Sequence, residues 1–138
     1  MLNKLTSNPK RLFLIDGLGA LITGFLLGVI LTRFEEAFGM PRKVLIPLSI
    51  LACVYVIYSV SCYFFVSKDW RPFLRVIAIA NLIYCCITIV FVILFYQVLT
   101  ILGLLYFFSE IIIIAGLVCI EVFTIAKSNG IHISESNP

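Results

Sequence analysis

Long apolar runs constrain this chain more than any other feature. Residues 12–32 and 44–66 are each bounded by basic residues, and 72–126 is long enough for two further runs. Within all of them only Asp16, Arg75, Glu110 and Glu121 carry charge. A bilayer core about 30 Å thick needs roughly 20 apolar residues per helix at about 1.5 Å rise per residue. The first two runs fit that length. The third must turn once, and "YQVLTILG", residues 96 to 103, is where a turn can form.

Inside lipid every backbone N–H and C=O must find a partner within the protein, which for segments of this length means helix. The expected fold is therefore all-α: a polytopic bundle of four transmembrane helices, at about 12–32, 44–66, 72–96 and 100–126, joined by short loops. Residues 1–11 form a cytoplasmic N-terminal segment and 127–138 a flexible cytoplasmic tail. Hydrophobic residues make up 62% of the 138 and charged residues 12%, where ordinary soluble domains are about a quarter charged. A soluble domain is excluded on that ground. The opening "MLNKLTSNPKR" is basic, but the run behind it is too long for a signal peptide and lacks a small-residue cleavage site, so it reads as a retained helix.

Basic residues give the orientation. Lys4, Lys10, Arg11, Lys68, Arg71, Arg75 and Lys127 fall on the side of the termini, and Arg33, Arg42 and Lys43 on the other, seven against three. Cytoplasmic loops carry the excess of Lys and Arg, which places both termini in the cytoplasm of a cell membrane, with the bacterial inner membrane as the expected setting. The net charge of +3 reflects this bias and predicts no nucleic-acid partner. The outer loop "RFEEAFGMPRK" is broken by Gly39 and Pro41. In the inner turn "SKDWRP", Asp69 is the expected helix cap, Pro72 fits the first helical turn and Trp70 suits an interface. Gly130 is expected to stop the fourth helix.

Motifs for chemistry are lacking. Cys53, Cys62, Cys85, Cys86 and Cys119 all lie in the spans without a CxxC pair and read as small buried packing residues. His132, the sole histidine, falls in the tail. No HExxH, P-loop, GxSxG or dinucleotide-binding pattern is present, so no enzyme, catalytic residue, cofactor or metal is expected. Tyr63, Phe64, Phe65, Trp70 and Phe73 towards one boundary, and Tyr96, Tyr106, Phe107 and Phe108 towards the other, read as interfacial belts.

Asp16, Ala20, Gly24 and Gly28 recur at intervals of four, which sets them on one helix face. The small-xxx-small pair Gly24 and Gly28 lets another helix approach closely, either within the chain or from a second copy or another membrane protein.

The intramembrane acids carry most of the functional signal. A carboxylate at a helix centre costs about 2.5 to 3.5 kcal/mol on the insertion scale, and each Ile returns about 0.3 to 0.6, so the four isoleucines after Glu110 can carry it into lipid. To stay there it needs a partner, a water-filled cavity or a proton. Glu110 and Glu121 are eleven residues apart, close to three helical turns, and share a face. Counted from the basic residues, Asp16, Arg75 and Glu121 lie about 7 to 9 Å inside the inner boundary, which predicts an inner charge layer paired through the Arg75 guanidinium. Glu110 lies at the midplane or in the outer half, where no Lys or Arg falls. Its expected neighbours are Asn81, Tyr84, Cys85 and Thr88 from the third span and Tyr55, Tyr58 and Ser59 from the second. Glu110, Asn81 and Tyr84 form the candidate ion, proton or ligand site.

In size and span count, with an embedded acid in the first helix, the chain resembles the small multidrug-resistance transporters. Asp16 would stand where they carry a glutamate. Their helix-three and helix-four motifs have no counterpart here, and the resemblance implies architecture only. Short loops and missing transport motifs favour a non-catalytic membrane subunit or scaffold with structural acids. The alternative is a proton- or cation-coupled small-solute transporter or channel-like protein using Glu110, Asp16 or both, with the solute path expected between subunits.

Overall fold

A computed structural model describes residues 8–66 and 69–135, with side chains placed as far as Ser128 apart from that of Pro9. Lys4 and Lys68, counted above for orientation, and the His132 side chain lie outside the described part. Every regular element is helical: α1 (Pro9–Phe25), continued by a π-helical segment (Leu26–Leu31), then α2 (Arg42–Phe65), α3 (Arg71–Leu94) and α4 (Ile101–Glu135). A single turn, Glu35–Phe38, sits between α1 and α2. Four helices, spanning Lys10–Leu31, Arg42–Phe65, Arg71–Leu94 and Ile101–Ser128, are long and apolar enough to cross a membrane.

The outward surface follows from composition. Leu18, Phe25, Ile50, Ile57, Ile93 and Ile113 are among many large apolar side chains left exposed, far beyond the patches that soluble monomers tolerate. The helices pair α1 with α2 and α3 with α4, and contacts between the two pairs are sparse. Two apolar clusters hold the bundle. One, at the outer-loop end, gathers Leu27, Leu31, Met40, Leu45, Leu48 and Phe107. The other, at the end of the termini, gathers Leu12, Phe13, Cys62, Leu74, Ile77 and Ile125.

The glycine face of α1 packs inside the chain. A Cβ on Gly24 would meet Cys53 Sγ at 3.4 Å and Ala52 Cβ at 3.6 Å, and one on Gly28 would stand 2.5 Å from Ser49 Oγ. Ser49 Oγ donates to the Gly24 carbonyl at 2.8 Å, and the wider π turn begins two residues later, as expected where a side chain engages the helical ladder. Gly17 joins this seam against Ser59, whereas Ala20 turns towards a cavity instead.

At the end opposite the termini the two loops are joined. Gly39 takes the left-handed conformation (φ 77°) that closes the single turn, and its backbone lies directly against Val98, Leu99 and Thr100. Thr100 donates from its amide to Phe38 O at 3.2 Å and from its hydroxyl to Ala37 O at 2.6 Å. Arg42 pairs with Glu35 at 2.9 Å beside this junction. At the other end an Arg71 guanidinium nitrogen donates to Ser128 O at 3.3 Å.

Three local expectations need correction. Asp69 is not the cap of α3, because the helix starts one residue later and Trp70 occupies that position without a side-chain hydrogen bond. Gly130 does not end α4, which runs on to Glu135; one glycine costs a helix interior only about 1 kcal/mol and stops it only by turning left-handed. Of the cysteines, Cys62 and Cys85 are buried, but Cys53, Cys86 and Cys119 point outward, and all five are free thiols.

Candidate functional site

Between the apolar clusters every long helix contributes at least one polar side chain to the interior. On α1 this is Asp16, 3% exposed; on α2, Ser59; on α3, Asn81; and on α4, Glu121, with no exposure at all. Their positions follow from helical spacing. The buried face of α3 reads Leu74, Ile77, Ala78, Asn81, Tyr84, Cys85 and Thr88, a run of three- and four-residue steps that carries Asn81 inward. Glu110 and Glu121 are likewise both buried on α4, as their three-turn separation predicts.

Asp16 is held from two helices. Ser59 Oγ donates to its Oδ2, and Asn81 Nδ2 donates to its Oδ1 at 2.6 Å. Both oxygens of this one carboxyl group are therefore engaged. Glu110 has one partner: the Tyr84 hydroxyl donates to its Oε1 at 3.1 Å, while Oε2 has none. Glu121 lies close to Asn81 and Asp16, but no hydrogen bond of good geometry reaches either of its oxygens.

Arg75 does not join this layer. It is exposed and lines an outer groove with Ala78, Leu82 and Val122. The reason is rotation rather than depth: Arg75 follows the fully buried Leu74 and is turned about 100° away from the interior. Among the described residues the one ion pair is Arg42–Glu35 at the outer loop, and no buried side chain is basic. Asp16, Glu110 and Glu121 thus share the interior without a cation.

Asp16 and Glu110 open onto one cavity of about 400 Å³. Its floor is Ala52 and Tyr55 of α2 with Asn81 and Tyr84 of α3. Its walls come from α1, through Asp16, Thr23 and Leu26, and from α4, through Tyr106, Glu110 and Leu117. The exposed Gly19 and Ile22 on α1 and Ser109 and Ile113 on α4 form its rim, so the mouth lies between two helices that barely touch. Tyr55 is anchored by donating to Ala80 O at 3.0 Å and meets Tyr84 edge-to-face at 6.2 Å between centroids.

The structure therefore brings Glu110, Tyr84 and Asn81 to one cavity, with a different pairing from that expected. Asn81 serves Asp16, and Tyr84 alone serves Glu110. Ser59, grouped above with Glu110, also belongs to Asp16. Tyr106 and Ser109 were missed as cavity residues. Tyr106 stands one turn before Glu110, an i, i+4 signal that an aromatic-belt reading of "YFF" obscures. The cavity is lined by residues of one chain. No protein-family profile, curated protein or solved structure matches the chain.

Proposed function

We propose that the chain is a multi-pass protein of a cell membrane, with both termini cytoplasmic, that binds a small solute in the cavity between α1 and α4 and takes up a proton or cation on Glu110 and Asp16. The membrane assignment rests on four helices of spanning length, an apolar outward surface and the seven-to-three distribution of basic residues. The bacterial inner membrane suits that charge bias.

One observation carries the carrier reading. Glu110 is 7% exposed, keeps one carboxyl oxygen unpartnered and lines a cavity large enough for a small molecule. Buried ionisable groups inside a bundle normally pair, and an unpaired one beside a cavity is a place for a proton or cation to bind. The scaffold reading rests on short loops and missing transport motifs; the glycine face that could have docked a partner for it, Gly24 and Gly28, lies against α2 of the same chain.

Infrared difference spectroscopy on the protein in lipid vesicles tests this reading, comparing wild type with Glu110→Gln. The expected result is a carboxyl band that the substitution removes and that changes when pH, sodium or potassium is varied. A Glu110 band indifferent to all three would leave a structural hydrogen bond to Tyr84 and return the search to protein partners.

A further inference from the structure

The outward faces of α3 and α4 carry a second feature, away from the solute cavity. We propose that the groove between these two helices, headed by Arg75, seats one anionic phospholipid, with its phosphate on the arginine and an acyl chain along the groove. This step rests on the membrane assignment above and not on the carrier reading.

Two helical stripes build the groove. On α3, Arg75, Ala78 and Leu82 follow one another at three- and four-residue steps, and on α4 so do Val118, Val122 and Ala126, which sets each trio on one face. Short side chains make the space between them. Ala78 is buried beneath it, while Leu82 and Val122, each more than half exposed, stand on opposite sides. The groove encloses about 290 Å³ and runs about 10 Å along α3 from Arg75 to Leu82. Its walls are hydrocarbon throughout, so a chain of methylenes fits them and a hydrated molecule does not.

Charge selects the head group. Arg75 is exposed one turn into α3, a depth at which a guanidinium needs a counter-ion or must reach back to the interface. The chain supplies no such counter-ion among its described residues, where the one ion pair is Arg42–Glu35. Asp69, the nearest acid in the sequence, lines a different groove with Tyr58 and Phe73. Glu121, beside Val122 on α4, is turned fully into the interior. Arg71 stands one turn before Arg75, and its bond to Ser128 O at 3.3 Å sets the exposed Lys127 at the same end of the groove. Three basic residues thus gather at the mouth of an apolar trough, and a phosphate can take the planar guanidinium in bidentate fashion.

The tail gains little by leaving bulk lipid, because neighbouring tails are as apolar as the groove. Preference among lipids therefore comes from the head. A zwitterionic phospholipid brings its own ammonium against Arg71 and Lys127; phosphatidylglycerol brings none. In the orientation proposed above Arg75 also faces the cytoplasmic leaflet, where anionic lipids give the surface its negative potential.

The test is reconstitution of the full chain into nanodiscs of equal parts phosphatidylglycerol and phosphatidylcholine, followed by native mass spectrometry of the lipid that stays on the chain when the disc is stripped away. One phosphatidylglycerol is expected, enriched about tenfold over phosphatidylcholine. Arg75→Gln should lower that enrichment about fivefold or more, and Val118→Trp, which fills the groove without altering any charge, should lower it too. Lys43→Gln, at the opposite end of the molecule, should leave it unchanged. Equal retention of the two lipids, or enrichment that survives Arg75→Gln, would overturn the proposal. So would release of the lipid by inorganic phosphate alone, which would mark a plain anion site. A chain that incorporates into the discs but shows no preference removes the lipid site and leaves the membrane assignment standing; a chain that does not incorporate removes both.

Discussion

Asp16 has two hydrogen-bond donors and Glu121 has none, and that difference sets opposite expectations for altering their surroundings. Removing a donor from Asp16 strands part of a buried carboxylate, so Ser59→Ala should cost about 1 to 2 kcal/mol in equilibrium unfolding from micelles. Replacing Glu121 by the similarly shaped Met discards a buried polar group that has no partner to lose. Glu121→Met should leave stability unchanged or raise it by about 1 kcal/mol; a loss of that size would mean that its carboxyl is held. The identity of these acids was legible in the sequence, because a charged residue in an apolar run stands out whatever the fold. Their partners were not. Counting residues from a charged boundary gives depth, and depth put Arg75 level with Asp16 and Glu121; the rotation that turns Arg75 outward depends on which face of α3 the other helices cover.

At the scale of helices, α1 and α2 are held by a seam of small residues. On Gly28 a Cβ would sit 2.5 Å from Ser49 Oγ, and that hydroxyl is already bonded to the Gly24 carbonyl. Gly28→Ala should therefore displace Ser49 and destabilise by about 1 to 3 kcal/mol. Ser49→Ala alone should cost about 0.5 to 1.5 kcal/mol. The double variant should cost less than the sum, since the second change removes the atom the first one strikes. Gly116→Ala is the control: nothing lies within 4 Å of its added methyl, and it should leave stability unchanged or raise it by up to about 1 kcal/mol. Strict additivity at Gly28 and Ser49 would dissolve the argument for this seam. Helix extents were largely legible, because charge and length bound the apolar runs at both ends. The π segment after Phe25 was not, since it depends on Ser49 arriving from another helix. The joined outer loops escaped notice for the same reason: Gly39 and Gly103 reveal their role only when brought together.

For the molecule as a whole, orientation and access are the open consequences. The charge bias predicts that a phosphatase fused after Ser128 stays inactive while one fused within the loop at residues 33–43 is active, and activity at the C-terminal fusion would reverse the proposed orientation. Four helices long and apolar enough to span were readable from apolar length, whereas the cavity was not, because it arises where α1 and α4 fail to close over the α2–α3 floor. The most direct measurement of the central claim is labelling by dicyclohexylcarbodiimide, a lipid-soluble reagent for carboxylic acids, followed by mass spectrometry of the reconstituted chain. Glu110, which lines the lateral cavity, should be modified quickly. Glu121, buried and outside the lining, should react far more slowly. An unreactive Glu110, or Glu121 labelled as fast as Glu110, would contradict a solute cavity open between α1 and α4.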